Sequence, residues 1–181
     1  MVTKTEIEEA IKGKGDFVKI DYLNRYLKTV DSLEMKRFIL LNLASVNESK
    51  GLFNDAIKNV SSAGDISISF REKRELYMKE VALWIKISDF NMAEKAFNKT
   101  LSYGNEIEKV EMYSLYENTF RAIGKNYENQ GKLRKALEIY EKLFNIIKIP
   151  QRKEDVKEKL LDIYYKMGRM REYNRLKGMK G

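Results

Sequence analysis

The chain of 181 residues contains no cysteine and no histidine. Without cysteine there is no disulfide and no thiolate nucleophile, and without both residue types the usual ligands of a structural zinc ion are missing. The absence of histidine also removes the side chain that most often acts as a general base near neutral pH. Carboxylates, lysines and tyrosines remain, but the sequence predicts a non-enzymatic protein with no metal site and no cofactor.

Turn-forming residues are scarce, with one proline and ten glycines in the whole chain. This scarcity excludes a turn-rich β fold, which needs many such residues between its strands. The chain has no run of about 18 apolar residues, and its N-terminal segment lacks an apolar core of signal-peptide length. The sequence therefore predicts an all-α protein with no membrane span and a cytoplasmic location.

What the chain does contain is a repeated pattern of aromatic, small and turn-forming residues. In the segment 127–140, YENQGKLRKALEIY, the spacing of Tyr127, Gly131, Ala136 and Tyr140 fits a helix, a tight turn and a second helix. The small residue in the second helix allows close contact with the first helix. With the turn residue as a register mark, the pattern recurs at Gly15, Gly51, Ser88, Gly131 and Gly168. Repeats of this length are typical of stacked helical hairpins.

The hydrophobic periodicity predicts five hairpins and ten helices. The first helices are predicted at 4–13, 32–50, 70–87, 106–130 and 151–167, and the second helices at 16–30, 53–63, 90–103, 133–148 and 170–178. Ser69 and Glu72 form a predicted capping pair at the start of the third hairpin, and Pro150 is predicted at the start of the fifth. The stretch SSAGDISIS, residues 61–69, is predicted to be a loop, because a lone short strand would have no partner.

The segment 120–150 resembles a unit of the tetratricopeptide repeat family. The residues that carry the resemblance are Phe120, Ile123, Gly124, Tyr127, Gly131, Ala136, Tyr140 and Pro150. Residues 37–63 and 84–101 match the same pattern less fully. The resemblance implies a right-handed α-solenoid of about five antiparallel helical hairpins, forming one TPR-like helical repeat domain over residues 1–181. It also implies a scaffold that binds other proteins.

In this family the first helices line the concave face, so the resemblance implies which residues face a ligand. We expect a peptide segment or partner surface to contact Arg121, Lys125, Phe38, Leu41, Met78 and Ile85. The two basic residues would bind an acidic group of the partner, and the four apolar residues would act as anchors. The alternative, that the apolar residues belong to the core, stays open, because apolar residues at helical spacing are usually buried.

The net charge of +8 is concentrated in the C-terminal part of the chain. Residues 1–116 hold 18 basic and 18 acidic residues, whereas residues 117–181 hold 17 basic and nine acidic residues. This asymmetry favours an acidic partner for the last two hairpins, and a second hypothesis is a nucleic-acid-associated helical repeat protein that uses those hairpins. Association of the terminal repeats into a homo-oligomer is a further possibility. The remaining alternative is that the basic residues only cap the last helix and maintain solubility.

Overall fold

The computed structural model describes residues 2–179, which form an all-α fold without a strand. The described chain contains ten helices: α1 (Lys4–Ile11), α2 (Asp16–Thr29), α3 (Leu33–Ser49), α4 (Phe53–Ile66), α5 (Phe70–Lys86), α6 (Phe90–Leu101), α7 (Glu106–Asn129), α8 (Leu133–Ile146), α9 (Pro150–Lys166) and α10 (Met170–Lys177). They follow one another as five hairpins, so the predicted fold class is confirmed. The predicted helix starts also hold, since the Glu72 amide donates to Ser69 Oγ at 3.2 Å and Pro150 begins α9.

The predicted loop over residues 61–69 is wrong for most of its length. Helix α4 continues to Ile66, and only residues 67–69 lie outside a helix. The helix continues because Gly64 packs directly against the ring of Tyr77 in α5. A Cβ atom on Gly64 would lie 2.5 Å from Tyr77 Cε1. Local propensity favours a loop in a stretch rich in serine and glycine, but this tertiary contact outweighs it.

The described chain forms two compact units. Unit 1 contains α1 to α6, and its equivalent helices lie side by side. Arg37 of α3 forms an ion pair with Glu72 of α5, and Lys99 Nζ of α6 lies 2.8 Å from Asp65 Oδ1 of α4. One part of the core of this unit is formed by Ile7, Leu23, Val30, Ile39 and Leu43, and another by Ala44, Ala56, Ile57, Val60 and Leu83.

Unit 2 contains α7 to α10 together with the short segment Ser88–Phe90. Helices α7 and α9 lie side by side, since Lys159 Nζ is 3.7 Å from Glu128 Oε1. The buried residues of these helices include Tyr116, Phe120, Ile123, Ala136, Leu137, Tyr140, Leu143, Val156, Leu160 and Ile163. Within each unit the hairpins stack, as the repeat pattern predicts. The expectation of a single domain over residues 1–181 stays a prediction.

Four of the five register marks lie in the left-handed region of backbone space. The φ angles are 74° at Gly51, 62° at Ser88, 69° at Gly131 and 68° at Gly168. After each of these glycines the next amide donates to the carbonyl oxygen five residues earlier, which is the Schellman arrangement at a helix end. The pairs are Leu52 with Asn47, Lys132 with Tyr127, and Arg169 with Tyr164, at 2.9, 2.9 and 2.8 Å.

The prediction of Gly15 as the first register mark is wrong. The left-handed residue between α1 and α2 is Gly13, with a φ of 70°, whereas Gly15 has a φ of −65° and is the N-cap of α2. The reason is that α1 ends at Ile11, two residues earlier than predicted, so the turn occurs earlier.

Ser88 provides a test of the backbone conformation at the third turn. A residue with a Cβ atom is destabilised by about 1 kcal/mol in the left-handed region, and glycine is not. We expect Ser88→Gly to have a free energy of unfolding about 1 kcal/mol higher than that of Ser88→Ala. Both variants lose the hydrogen bond from Ser88 Oγ to Glu138 Oε2 at 3.1 Å, so the difference reports the backbone alone. Urea denaturation measures it, and equal stabilities would contradict the left-handed assignment.

Helix α7 accounts for the longest spacing between register marks. Ser88 and Gly131 are 43 residues apart, because α7 has 24 residues whereas α3, α5 and α9 have 17 each. The extra turns lie at the N-terminal end of α7. They expose Ile107 and Val110, whose side chains are 76% and 71% accessible.

Candidate functional site

The two candidate residues on α3 are half-buried. Phe38 packs against the cluster of Ile7, Leu23, Val30, Ile39 and Leu43, and the Lys4 ammonium group lies 5.9 Å from the centre of its ring. Leu41 is also half-buried. Phe38 therefore supports the core, and both side chains keep part of their surface accessible.

The two candidate residues on α5 are buried more deeply. Met78 is 7% exposed, and Ile85 is completely buried. A partner therefore does not reach Ile85 directly, and its role in this structure is to pack inside unit 1. This corresponds to the alternative that the sequence left open for the apolar candidates.

The two basic candidates on α7 differ in whether their charged groups contact the rest of the protein. The guanidinium group of Arg121 donates from Nη2 to the backbone carbonyl of Arg152 at 2.8 Å, and Arg152 Nη1 lies 3.4 Å from Glu117 Oε2. Arg121 thus connects α7 with the first turn of α9. Lys125 lies one turn further along α7, is exposed, and has no ion pair among the residues that the structure describes. Lys125 is therefore the basic candidate whose charge is available to a partner.

Unit 1 also contains a groove that the sequence did not predict. It has a volume of 260 Å³ and is lined by Leu33, Glu34, Arg37, Ile66, Ile68 and Glu72. One of these lining residues, Ile68, is 83% exposed. The only sequence signal for this surface is the alternation of isoleucine and serine over residues 66–69, which occurs where the structure has a helix end and a short loop.

The charged residues of the groove are neutralised in pairs. Arg37 binds Glu72, and Lys4 binds Glu34. The hydrogen bond and the positive charge from Lys4 hold the pKa of Glu34 below its usual value. Half of the lining residues are apolar, namely Leu33, Ile66 and Ile68, and the other half are charged residues held in ion pairs.

Three buried tyrosines form hydrogen bonds with carboxylates. The hydroxyl groups of Tyr77, Tyr140 and Tyr164 donate to Asp65, Glu128 and Glu141 at 2.9, 2.8 and 2.7 Å. Burial, and then the hydrogen bond to the carboxylate, raise the pKa of each phenol well above its usual value. These phenols are therefore held neutral as donors that connect helices, rather than activated as bases.

Within residues 2–179, no group of three or more acidic side chains is arranged to hold a metal ion. No helix in the same part of the chain is both long enough and apolar enough to cross a membrane.

Comparisons with known proteins add little to this geometry. The sequence matches no protein-family model and no curated protein. Among solved structures, the chain is similar to the crystal structure of MamA, with 18% sequence identity and a TM-score of 0.45. The similarity covers 97% of this chain and 91% of the MamA chain. At this TM-score we draw no conclusion about function from the likeness.

Proposed function

We propose that this protein is a non-enzymatic protein-interaction module that acts in the cytoplasm and binds a segment of a partner protein. The observation that carries the proposal is the groove between α3 and α5 of unit 1, whose lining includes the 83% exposed side chain of Ile68. Exposed apolar surface of this kind marks interaction sites in soluble proteins. A groove that opens beside a helix suits an apolar anchor residue of a partner segment.

The groove and the candidate residues of α3 form one continuous surface. Leu33, Arg37 and Leu41 are spaced four residues apart, so they share one face of α3. Leu33 and Arg37 line the groove, and Leu41 continues the same face by one turn. The partner segment places an apolar side chain in the groove and extends along α3 over Leu41 and Phe38, while Met78 and Ile85 are buried in unit 1.

Unit 2 supplies a separate basic contact. Lys125 is exposed and without an ion pair in the described part of the chain, so it is available for an acidic group. Arg121 holds α7 against α9 through the carbonyl group of Arg152 and thereby positions this surface. Such a charge contributes mainly to the rate and specificity of association, and the apolar groove supplies the larger part of the affinity.

Matched variants test the groove in affinity capture from a cell lysate of the source organism. Ile68→Asp places a charge beside the groove, and Ile107→Asp makes the same change at an isoleucine of similar exposure on α7. We expect Ile68→Asp to weaken partner binding roughly 10- to 100-fold, because the apolar contact of one isoleucine is lost. We expect Ile107→Asp to bind as the unmodified protein does.

Capture is done with and without nuclease, and the bound proteins are identified by mass spectrometry. A defined protein that survives nuclease and is lost only with Ile68→Asp supports the proposal. Material that disappears with nuclease would favour the nucleic-acid hypothesis for residues 117–181. Equal capture by both variants would rule out the groove as the binding surface.

A further inference from the structure

Basic residues of unit 2 gather at the turns between its first and second helices. Gly131 and Gly168 have nearly identical φ angles and the same Schellman hydrogen bonds, so the residues that follow them occupy equivalent positions. The first and third residues after each glycine are Lys132 and Arg134 in one hairpin, and Arg169 and Arg171 in the next. The corresponding residues after Gly51 in unit 1 are Leu52 and Asn54. The basic turns are therefore a feature of the last two hairpins rather than of the repeat.

We call this surface the basic turn edge. It consists of Lys132, Arg134, Lys135, Arg169, Arg171 and Arg175.

The cations of the basic turn edge are of two kinds. Arg169 is held by Glu172, with 3.0 Å from Nε to Oε1, and its guanidinium carbon lies 5.4 Å from the centre of the Tyr164 ring. By contrast, Arg134, Arg171 and Arg175 are exposed and form no ion pair with any residue that the structure describes.

Two lysines of the basic turn edge lie over the ring of Tyr127. Lys132 Nζ and Lys135 Nζ lie 6.0 and 5.4 Å from the centre of the Tyr127 ring. The ring stabilises their charges through a cation–π contact. The lysines thus stay at the turn without being neutralised by a carboxylate.

We propose that the basic turn edge binds an acidic protein segment, a stretch of chain rich in aspartate and glutamate. Arg134, Arg171 and Arg175 each present a planar guanidinium group that binds a carboxylate through two parallel hydrogen bonds. None of these groups forms an ion pair with a described residue, although the charge of Arg171 acts on the neighbouring carboxylate of Glu172. Their hydrogen-bonding capacity is therefore available to carboxylates of another molecule. This inference rests on the proposed function as a protein-interaction module, but it assigns a second surface in a different unit.

The composition of the edge favours a protein segment over nucleic acid. Glu138 is exposed on the same helix as Arg134 and would repel a uniform row of phosphates. A peptide can leave an uncharged residue opposite this glutamate, and a phosphate backbone cannot. Single-stranded nucleic acid binds by stacking its bases on open aromatic faces. Cations lie over the rings of Tyr127 and Tyr164, whereas Tyr165 is 66% exposed.

Fluorescence anisotropy with a labelled peptide of alternating glutamate and serine tests this proposal on the full chain. The test variant is Arg134→Glu with Arg171→Glu. The matched control is Lys58→Glu with Lys95→Glu, which changes the net charge by the same amount at two exposed lysines of unit 1. We expect the test variant to bind the peptide roughly tenfold or more weakly, and the control to bind almost as tightly as the unmodified protein.

A neutral variant separates loss of attraction from added repulsion, and a second ligand separates peptide binding from RNA binding. Arg134→Gln with Arg171→Gln should give an intermediate loss, since it removes the attraction without adding repulsion. Single-stranded RNA of the same length tests the competing occupant, because Tyr165 is an exposed ring close to this edge in sequence. Tighter binding of RNA than of the peptide would overturn the proposal. No binding of the peptide, or an equal loss in the control, would also overturn it.

The two proposals fail in different ways. Ile68→Asp should leave the affinity for the acidic peptide unchanged, because Ile68 belongs to unit 1. If the peptide does not bind but a captured protein partner still depends on Ile68, this inference is wrong and the proposed function stands. If the peptide binds the basic turn edge and no partner depends on Ile68, the proposed role of the groove is wrong and the proposal for the basic turn edge stands.

Discussion

Replacement of Gly124 by alanine is expected to lower the free energy of unfolding by about 2 kcal/mol. A Cβ atom at this position would lie 2.8 Å from Tyr140 Cζ and 2.9 Å from Tyr140 Cε1. The ring is 3% exposed, and its hydroxyl group donates to Glu128 Oε2 at 2.8 Å, so it has no open space to move into. The overlap outweighs the gain of roughly 0.5–1 kcal/mol that alanine brings to a helix interior.

A double-mutant cycle with Tyr140→Leu tests the cause of this loss. Leucine has no atoms where the outer half of the tyrosine ring lies, so alanine at position 124 should cost little in the Tyr140→Leu background. Urea denaturation of the four proteins gives the coupling energy between the two positions. If Gly124→Ala lowers the free energy of unfolding equally in both backgrounds, the contact with Tyr140 does not explain the need for glycine at position 124.

Truncation of Phe120 to alanine is expected to be the most destabilising single change, at about 3–5 kcal/mol. The side chain is completely buried. Its ring centre lies 5.1 Å from that of Tyr116 in an edge-to-face arrangement and 5.9 Å from that of Phe90. Loss of the ring removes these contacts and leaves a cavity that the surrounding helices fill only in part.

Phe17→Ala is the matched control, because it removes the same atoms from a side chain that is 72% exposed. We expect this control to change the free energy of unfolding by no more than about 0.5 kcal/mol. Thermal and urea denaturation monitored by circular dichroism measure both variants. Similar losses in the two proteins would contradict the placement of Phe120 in the core.

The helices and turns of this protein were largely predictable because they depend on local chemistry. The turn positions Gly51, Gly131 and Gly168 were found from spacing alone, since a left-handed residue is needed where a first helix ends. The prediction for 61–69 was wrong because α4 extends through a segment of weak helix propensity. What holds that segment in a helix is Tyr77, a residue that is distant in the sequence.

The candidate site was predictable only in part. The spacing of Phe38 and Leu41 correctly placed them on α3, but it did not show that Ile85 is completely buried while Lys125 stays exposed. The groove beside Ile68 gave almost no sequence signal, because it is formed by residues of three successive helices and one loop.

The sequence by itself determined the fold class, the succession of five hairpins and the location of the excess charge in residues 117–181. These properties follow from periodicity and composition, which act over a few residues at a time. Only the tertiary structure decided which charges are satisfied internally. Arg121 binds a backbone carbonyl, whereas Arg134 is exposed and forms no ion pair with any described residue. Such a distinction depends on packing between helices that are far apart in sequence, and so it cannot be derived from local patterns.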